Sequence, residues 1–143
     1  AAAADALLRQ REVCSLSLRP RVQYHNLEAR WITQGGGSSG NQPFHEVDLR
    51  GAGHVAAVSD SGVDVHSCFF DDAENVVSYR ADNAPVNPHA RKVVQYTSFN
   101  DHKDDVWGHG THVAASLLGK ASRSTSILWD NPNGIVEDAK LAF

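Results

Sequence analysis

Val55-Ala56-Ala57-Val58-Ser59-Asp60-Ser61-Gly62-Val63-Asp64 is the stretch on which the fold turns. The apolar run within His54 to Val58 is too short and too continuous for a surface helix, so it reads as a central parallel strand covered on both faces. It ends on Asp60, with Ser59 and Ser61 on either side and Gly62 free to turn the chain sharply. In open α/β sheets the carboxyl ends of the strands face the crevice where ligands bind. A carboxylate at such an end either caps a turn or holds a histidine in one tautomer, and the stretch alone leaves both readings open. Gly51 and Gly53 precede the strand, the wrong order for a dinucleotide loop, and read as turn residues that lead into the sheet.

A second stretch, Gly108-His109-Gly110-Thr111-His112-Val113-Ala114-Ala115-Ser116, reads as a helix from His109 to about Leu118, ended by Gly119. His109 falls in the first turn, where the positive end of the helix dipole disfavours its protonated form. A nearby carboxylate is therefore needed for it to accept a proton, and Asp60 is the candidate. His109 and His112 are three apart and are also a candidate metal pair, but the glutamate-bearing zinc-helix pattern is absent and no third ligand is evident. His112, flanked by apolar residues, reads as structural.

Working outward, Val76 to Tyr79 and Lys92 to Thr97 are further strand candidates, rich in valine and tyrosine. Val136 to Phe143 reads as a turn followed by an apolar strand. Strands interleaved with a helix and broad loops predict an α/β domain, a parallel sheet flanked by helices. Ahead of it, Val13 to Leu18 is strand-like and Asn26 to Ile32 predicts a helix with Leu27 and Trp31 on one face. Gln34 to Pro43, rich in glycine and serine, predicts a flexible loop. Gly37-Ser38-Ser39-Gly40 lacks the strand before it and the helix after it that a nucleophile turn requires.

The 143 residues carry 41% hydrophobic and 21% charged residues, a composition that excludes a disordered or fibrous chain. A formal net charge of −4 supplies no basic footprint for nucleic acid. No apolar run approaches the length of a membrane span, and Ala1 to Leu8 lacks the pattern of a signal peptide. The absence of methionine predicts a piece of a longer product. Cys14 and Cys68 are too sparse for a disulfide framework and read as two isolated thiols, with a single pair as the alternative.

Ala57-Val58-Ser59-Asp60-Ser61-Gly62-Val63-Asp64 and His109-Gly110-Thr111-His112-Val113-Ala114, in that order, resemble the aspartate and histidine signatures of the subtilisin-like serine peptidases, the subtilases. The resemblance is strong from Gly51 to Gly119 and weaker from Gly134 to Phe143. It implies a serine endopeptidase acting on peptide or protein substrates through an Asp-His-Ser triad, with Asp60 as orienter and His109 as general base. On this basis residues 44–143 are the N-terminal part of a peptidase domain, incomplete, and residues 1–43 a propeptide remnant or lead-in.

Neither the family's Gly-Thr-Ser-Met-Ala type segment nor its oxyanion asparagine is present, so the resemblance implies that this chain alone is inactive. Ala115 stands where many members carry glycine, a change the helix tolerates if it has room for one methyl. No cofactor is required. Calcium is common in the family, and the acidic clusters Asp71, Asp72, Glu74 and Asp101, Asp104, Asp105 are its candidate ligands, with solvated loops as the alternative. A secreted or membrane-associated parent fits the family. A non-catalytic subtilase relative, serving as a binding or regulatory module, and a metal-dependent hydrolase using His109 and His112 remain as alternatives.

Overall fold

The computed structural model describes residues 6–7, 9–10, 12–13, 16, 26–35, 41–100, 102–104, 108–122 and 132–143. The elements in chain order are α1 (Asn26–Gly35), α2 (Pro43–Glu46), β1 (Val55–Ala57), β2 (Tyr79–Arg80), β3 (Val93–Thr97), α3 (His109–Leu118) and β4 (Lys140–Ala142). The four strands form one parallel sheet in the order β1-β4-β3-β2. This is the α/β arrangement that the alternation of strands and helix predicts.

β3 is the interior strand whose sequence best explains its place. Val93, Val94 and Tyr96 are all buried, as a strand covered on both faces demands. Leu141 of β4 and Ala114 and Leu118 of α3 close the core with Val63 and Phe70, all at most 1% exposed. Ala115 packs its methyl against this cluster, so the helix does have the room. Burial of Leu118 alone contributes about 1.5–3 kcal/mol relative to an exposed leucine.

Two strand expectations need correcting. The apolar run at 55–58 forms β1, but at the edge of the sheet among the described residues, with β4 as its one strand partner and Val55 57% exposed. Continuous apolarity reports that a strand has no polar face; it does not report how many neighbours the strand has. The strand expected at Val76 to Tyr79 is displaced to Tyr79–Arg80, leaving Val76 92% exposed. Asp72 causes the shift: its Oδ1 accepts the amides of Glu74 and Asn75, which curls the chain into a loop and delays the extended segment.

The helix expected from Asn26 to Ile32 is α1, which continues through Gln34 and Gly35 of the expected loop. Residues 36–40, including Gly37-Ser38-Ser39-Gly40, lie outside the described residues, as do most of the strand-like stretch at 13–18 and Cys14. Cys68 is an exposed free thiol. Gly51 and Gly53 both take positive φ in the turn ahead of β1, as their position in the sequence suggests.

The segment ahead of the sheet docks on the turn that leads into β4. Arg30 donates to the Asn133 carbonyl at 3.0 Å, and His45 Nε2 meets the Ile135 carbonyl at 2.8 Å. Arg50 pairs with the buried Glu137 at 2.7 Å. Behind them Lys92, 2% exposed, donates its ammonium to the carbonyls of Glu137 and Ala139. Burial, with the nearby charge of Arg91, pulls that amine down to about 8. All of these contacts gather at the amino end of β4, and the carboxyl ends of the strands are left for a different use.

Candidate functional site

At the carboxyl ends of β1, β4 and β3 lies an open crevice of about 470 Å³ whose lining includes Ala57, Val58, Asp60, Tyr96, Phe99 and Phe143. Its place follows from the parallel sheet, whose strand ends diverge into loops on that side. Backbone pairing continues past the formal strand ends, through Val58 N–H to the Ala142 carbonyl and Thr97 N–H to the Phe143 carbonyl. The residue that follows β1 is thereby held at a fixed height over the crevice.

The structure brings Asp60 and His109 together across 49 residues of sequence, with His109 Nδ1 2.6 Å from Asp60 Oδ1. A carboxylate can only accept, so Nδ1 carries the proton and Nε2 is left as the basic nitrogen of the neutral ring. Asp60 Oδ1 also accepts the Ser61 amide at 2.7 Å. The His109 bond first, and the Ser61 amide second, hold the Asp60 carboxyl below the usual carboxylate range, so it is ionised at neutral pH. Reciprocally, the bond to Asp60 and then its charge raise the His109 imidazole, against a smaller opposing effect of desolvation. The Asp60 side chain is 18% exposed and that of His109 is 65% exposed, so the imidazole reaches out from a sheltered partner.

This approach depends on two glycines. Gly62 sits at φ +144°, and a Cβ there would lie 2.1 Å from the Lys103 carbonyl oxygen. A Cβ on Gly110 would lie 2.2 Å from the Gly62 carbonyl oxygen and 3.1 Å from the Asp60 Cβ. The turn after β1 and the first turn of α3 therefore pack backbone to backbone, closer than any side chain permits. Tyr96 supports the turn from below: its hydroxyl accepts the Val63 amide at 3.0 Å, and its ring packs edge-on against Tyr79.

Two further polar residues complete the arrangement, and the sequence reading did not single them out for it. Ser61 Oγ donates to Asp104 Oδ1 at 2.8 Å and accepts the Gly110 amide at 3.0 Å. Asp104 Oδ2 accepts the Thr111 amide at 2.7 Å, and Thr111 Oγ1 accepts the Asp64 amide at 2.8 Å. The one sign of this in the sequence is Gly108, a residue without a capping group where the helix begins.

His112 is exposed, and its carbonyl accepts the Ser116 hydroxyl. No group of three or more histidine, cysteine or acidic residues that could hold a metal ion occurs among the described residues. Two of the calcium candidates make hydrogen bonds within the chain. Asp72 spends Oδ1 on Glu74 and Asn75 and Oδ2 on the Arg91 amide, while Asp104 spends both oxygens on Ser61 and Thr111. Asp101 and Asp105 lie outside the described residues.

Curated relatives include three proteins of Dictyostelium discoideum named as serine protease/ABC transporter B family proteins. The chain is 40% identical to tagD over 99 residues, 68% of the chain and 5% of tagD. It is 37% identical to tagB over 98 residues, again 68% of the chain and 5% of the relative. With tagA it shares 29% identity over 114 residues, 78% of the chain and 6% of tagA. The chain thus spans only about a twentieth of the length of these relatives. No solved structure matches at comparable significance. The family model for the subtilase family matches residues 51–143, from the turn ahead of β1 to the end of β4, and by that match the chain belongs to the subtilases.

Proposed function

We propose that this chain supplies the aspartate and the histidine of a serine endopeptidase that cleaves peptide or protein substrates, with Asp60 as orienter and His109 as general base. The observation that carries the reading is the 2.6 Å bond from His109 Nδ1 to Asp60 Oδ1, made by an ionised carboxylate to a ring whose Nε2 is left for proton transfer. In the first half-reaction Nε2 takes the proton of a serine hydroxyl as its oxygen attacks the scissile carbonyl. The imidazolium then gives that proton to the leaving amine, and an acyl-enzyme remains. Water, deprotonated by the same nitrogen, releases the acid and restores the serine. Throughout, Asp60 stays ionised, fixes the tautomer and stabilises the charged ring.

The serine comes from a segment other than these 143 residues. Ser61, beside Asp60, spends its hydroxyl on Asp104 and Gly110, and Ser116 spends its own on the His112 carbonyl. The names of the relatives as serine proteases and the family match support the reading.

A fluorophosphonate probe, which reacts only with an activated serine, tests it. The full-length parent labels stoichiometrically, its His109→Ala variant does not, and the 143-residue chain alone does not. Near-normal labelling and turnover in His109→Ala would remove His109 from the mechanism. Stoichiometric labelling of the isolated chain would place the nucleophile within it and overturn the assignment.

A further inference from the structure

The first turn of α3 has no capping side chain of its own. Its N-cap is Gly108, in the left-handed region at φ 59°, and it offers no side-chain acceptor to the amides that follow. Such orphan amides need partners when they are enclosed. Here the partners come from distant segments: Ser61 Oγ takes the Gly110 amide and Asp104 Oδ2 takes the Thr111 amide. Asp104 Oδ1 takes the Ser61 hydroxyl proton, and the Ser61 amide in turn donates to the Asp60 oxygen that faces His109. The bonds form a closed circuit, from Asp104 through Ser61 and Asp60 to His109, and back through the helix turn to Asp104.

We propose that Asp104 is a positioning residue for His109, fixing the helix start that carries the imidazole against the strand-end turn that carries Asp60. The proposal rests on the reading of His109 as the general base. Asp104 acts through Ser61 and the amide of Thr111, and no bond joins it to the His109 ring among the described contacts. Its geometry suits the task, because one carboxylate presents two oxygens to two segments at once. Its charge suits it too, since an anion at a helix N-terminus is stabilised by the dipole and offsets the penalty that the dipole places on a protonated histidine.

Among the described residues, the charged and titratable groups around the first turn are few. Asp60 comes from the turn after β1 and Asp104 from the loop before α3, and these are the two carboxylates whose charge acts on His109. Asp64 lies where its amide meets Thr111, Lys103 where its carbonyl meets Gly62, and His112 on α3 itself. Among the described residues, Asp104 is thus the second negative charge favouring the imidazolium, and the one that also holds the helix.

The test is nuclear magnetic resonance on the 143-residue chain, reading the His109 ring titration and the hydrogen exchange of the Thr111 amide in Asp104→Asn and Asp104→Ala. The Asn variant keeps an oxygen for the Thr111 amide and loses the charge, so the His109 midpoint falls while exchange stays slow. In the Ala variant the midpoint falls and Thr111 exchange quickens by about tenfold, the equivalent of one net hydrogen bond. Wild-type midpoints in both variants, with unchanged Thr111 exchange in Ala, would overturn the proposal. Should the Ala variant fail to fold, an unchanged midpoint in Asn is enough to do so. Neither reading depends on peptide cleavage. A parent that keeps turnover after His109→Ala therefore sinks the base assignment while this result stands as an account of the geometry.

Discussion

Asp60 and Asp72 invite comparison because both carboxyls lie below the usual carboxylate range for unlike reasons. Asp60 is held down first by the His109 ring and then by the Ser61 amide. Burial pushes Asp72 up, and the Arg91, Glu74 and Asn75 donors more than reverse it. The Asp72 donors hold a loop in shape and do not titrate in the range of life. The Asp60 partner does titrate, stands 65% exposed beside a crevice, and answers with a raised pKa of its own. A depressed carboxylate is therefore no mark of a site by itself; a carboxylate whose partner can exchange a proton with an outside group is.

The largest effect that can break this contrast is on catalysis. Asp60→Asn in the parent should lower kcat by about 10⁴, the scale seen when a triad aspartate becomes an amide that favours the wrong histidine tautomer. The same change in the isolated chain should bring the His109 midpoint down, as measured by ring titration. Asp72→Asn should do neither. If both substitutions cut kcat alike, the loss reflects folding in general, and the distinction between the two aspartates collapses.

Much of this distinction was legible in the residues, and the reason it was incomplete is physical. Asp60, His109 and the span of α3 follow from local patterns: an apolar run ending on a carboxylate, and small residues around a helix start. β3 follows as well, since its valines and tyrosine are buried as their type suggests. The edge position of β1 is a property of the sheet and leaves no trace in Val55 to Val58. The displacement of β2 was set by Asp72, whose side chain competes with the backbone for amides and so bends a stretch whose valines favour strand. Ser61 and Asp104 meet across 43 residues, and no spacing rule reaches that far. Only the bare N-cap at Gly108 hinted that a cap had to be borrowed.

An effect of middle size sharpens the structural half of the comparison. Removing the Asp72 side chain leaves the Arg91, Glu74 and Asn75 amides without their acceptor. The site is only partly covered, and water replaces some of what is lost, so Asp72→Ala should cost about 1–2 kcal/mol of stability, measured by denaturant unfolding. The His109 ring titration should be unaffected. A shift of that midpoint in Asp72→Ala would mean that the loop and the site are coupled, contrary to the separation drawn between them.

The smallest effect is the most discriminating, because it depends on sign. The His109 pKa is raised in the folded chain, so its contribution to stability is fully present below 6.5 and is lost as pH rises through the folded value. The Asp60 pKa is lowered, so its contribution is present above 3.8 and is lost as pH falls through its folded value. The pair therefore stabilises the fold in a window bounded on both sides. Solvent around the exposed ring screens the gain. Asp72 has only the acid boundary, because backbone amides do not deprotonate there. Thermal melts across that range, with each variant subtracted from the wild type, separate the two shapes. The Asp60→Asn difference should rise and fall, and the Asp72→Asn difference should rise and stay level. A level alkaline limb for Asp60 would show that His109 keeps its charge without it, and the partnership at 2.6 Å would then be geometric only.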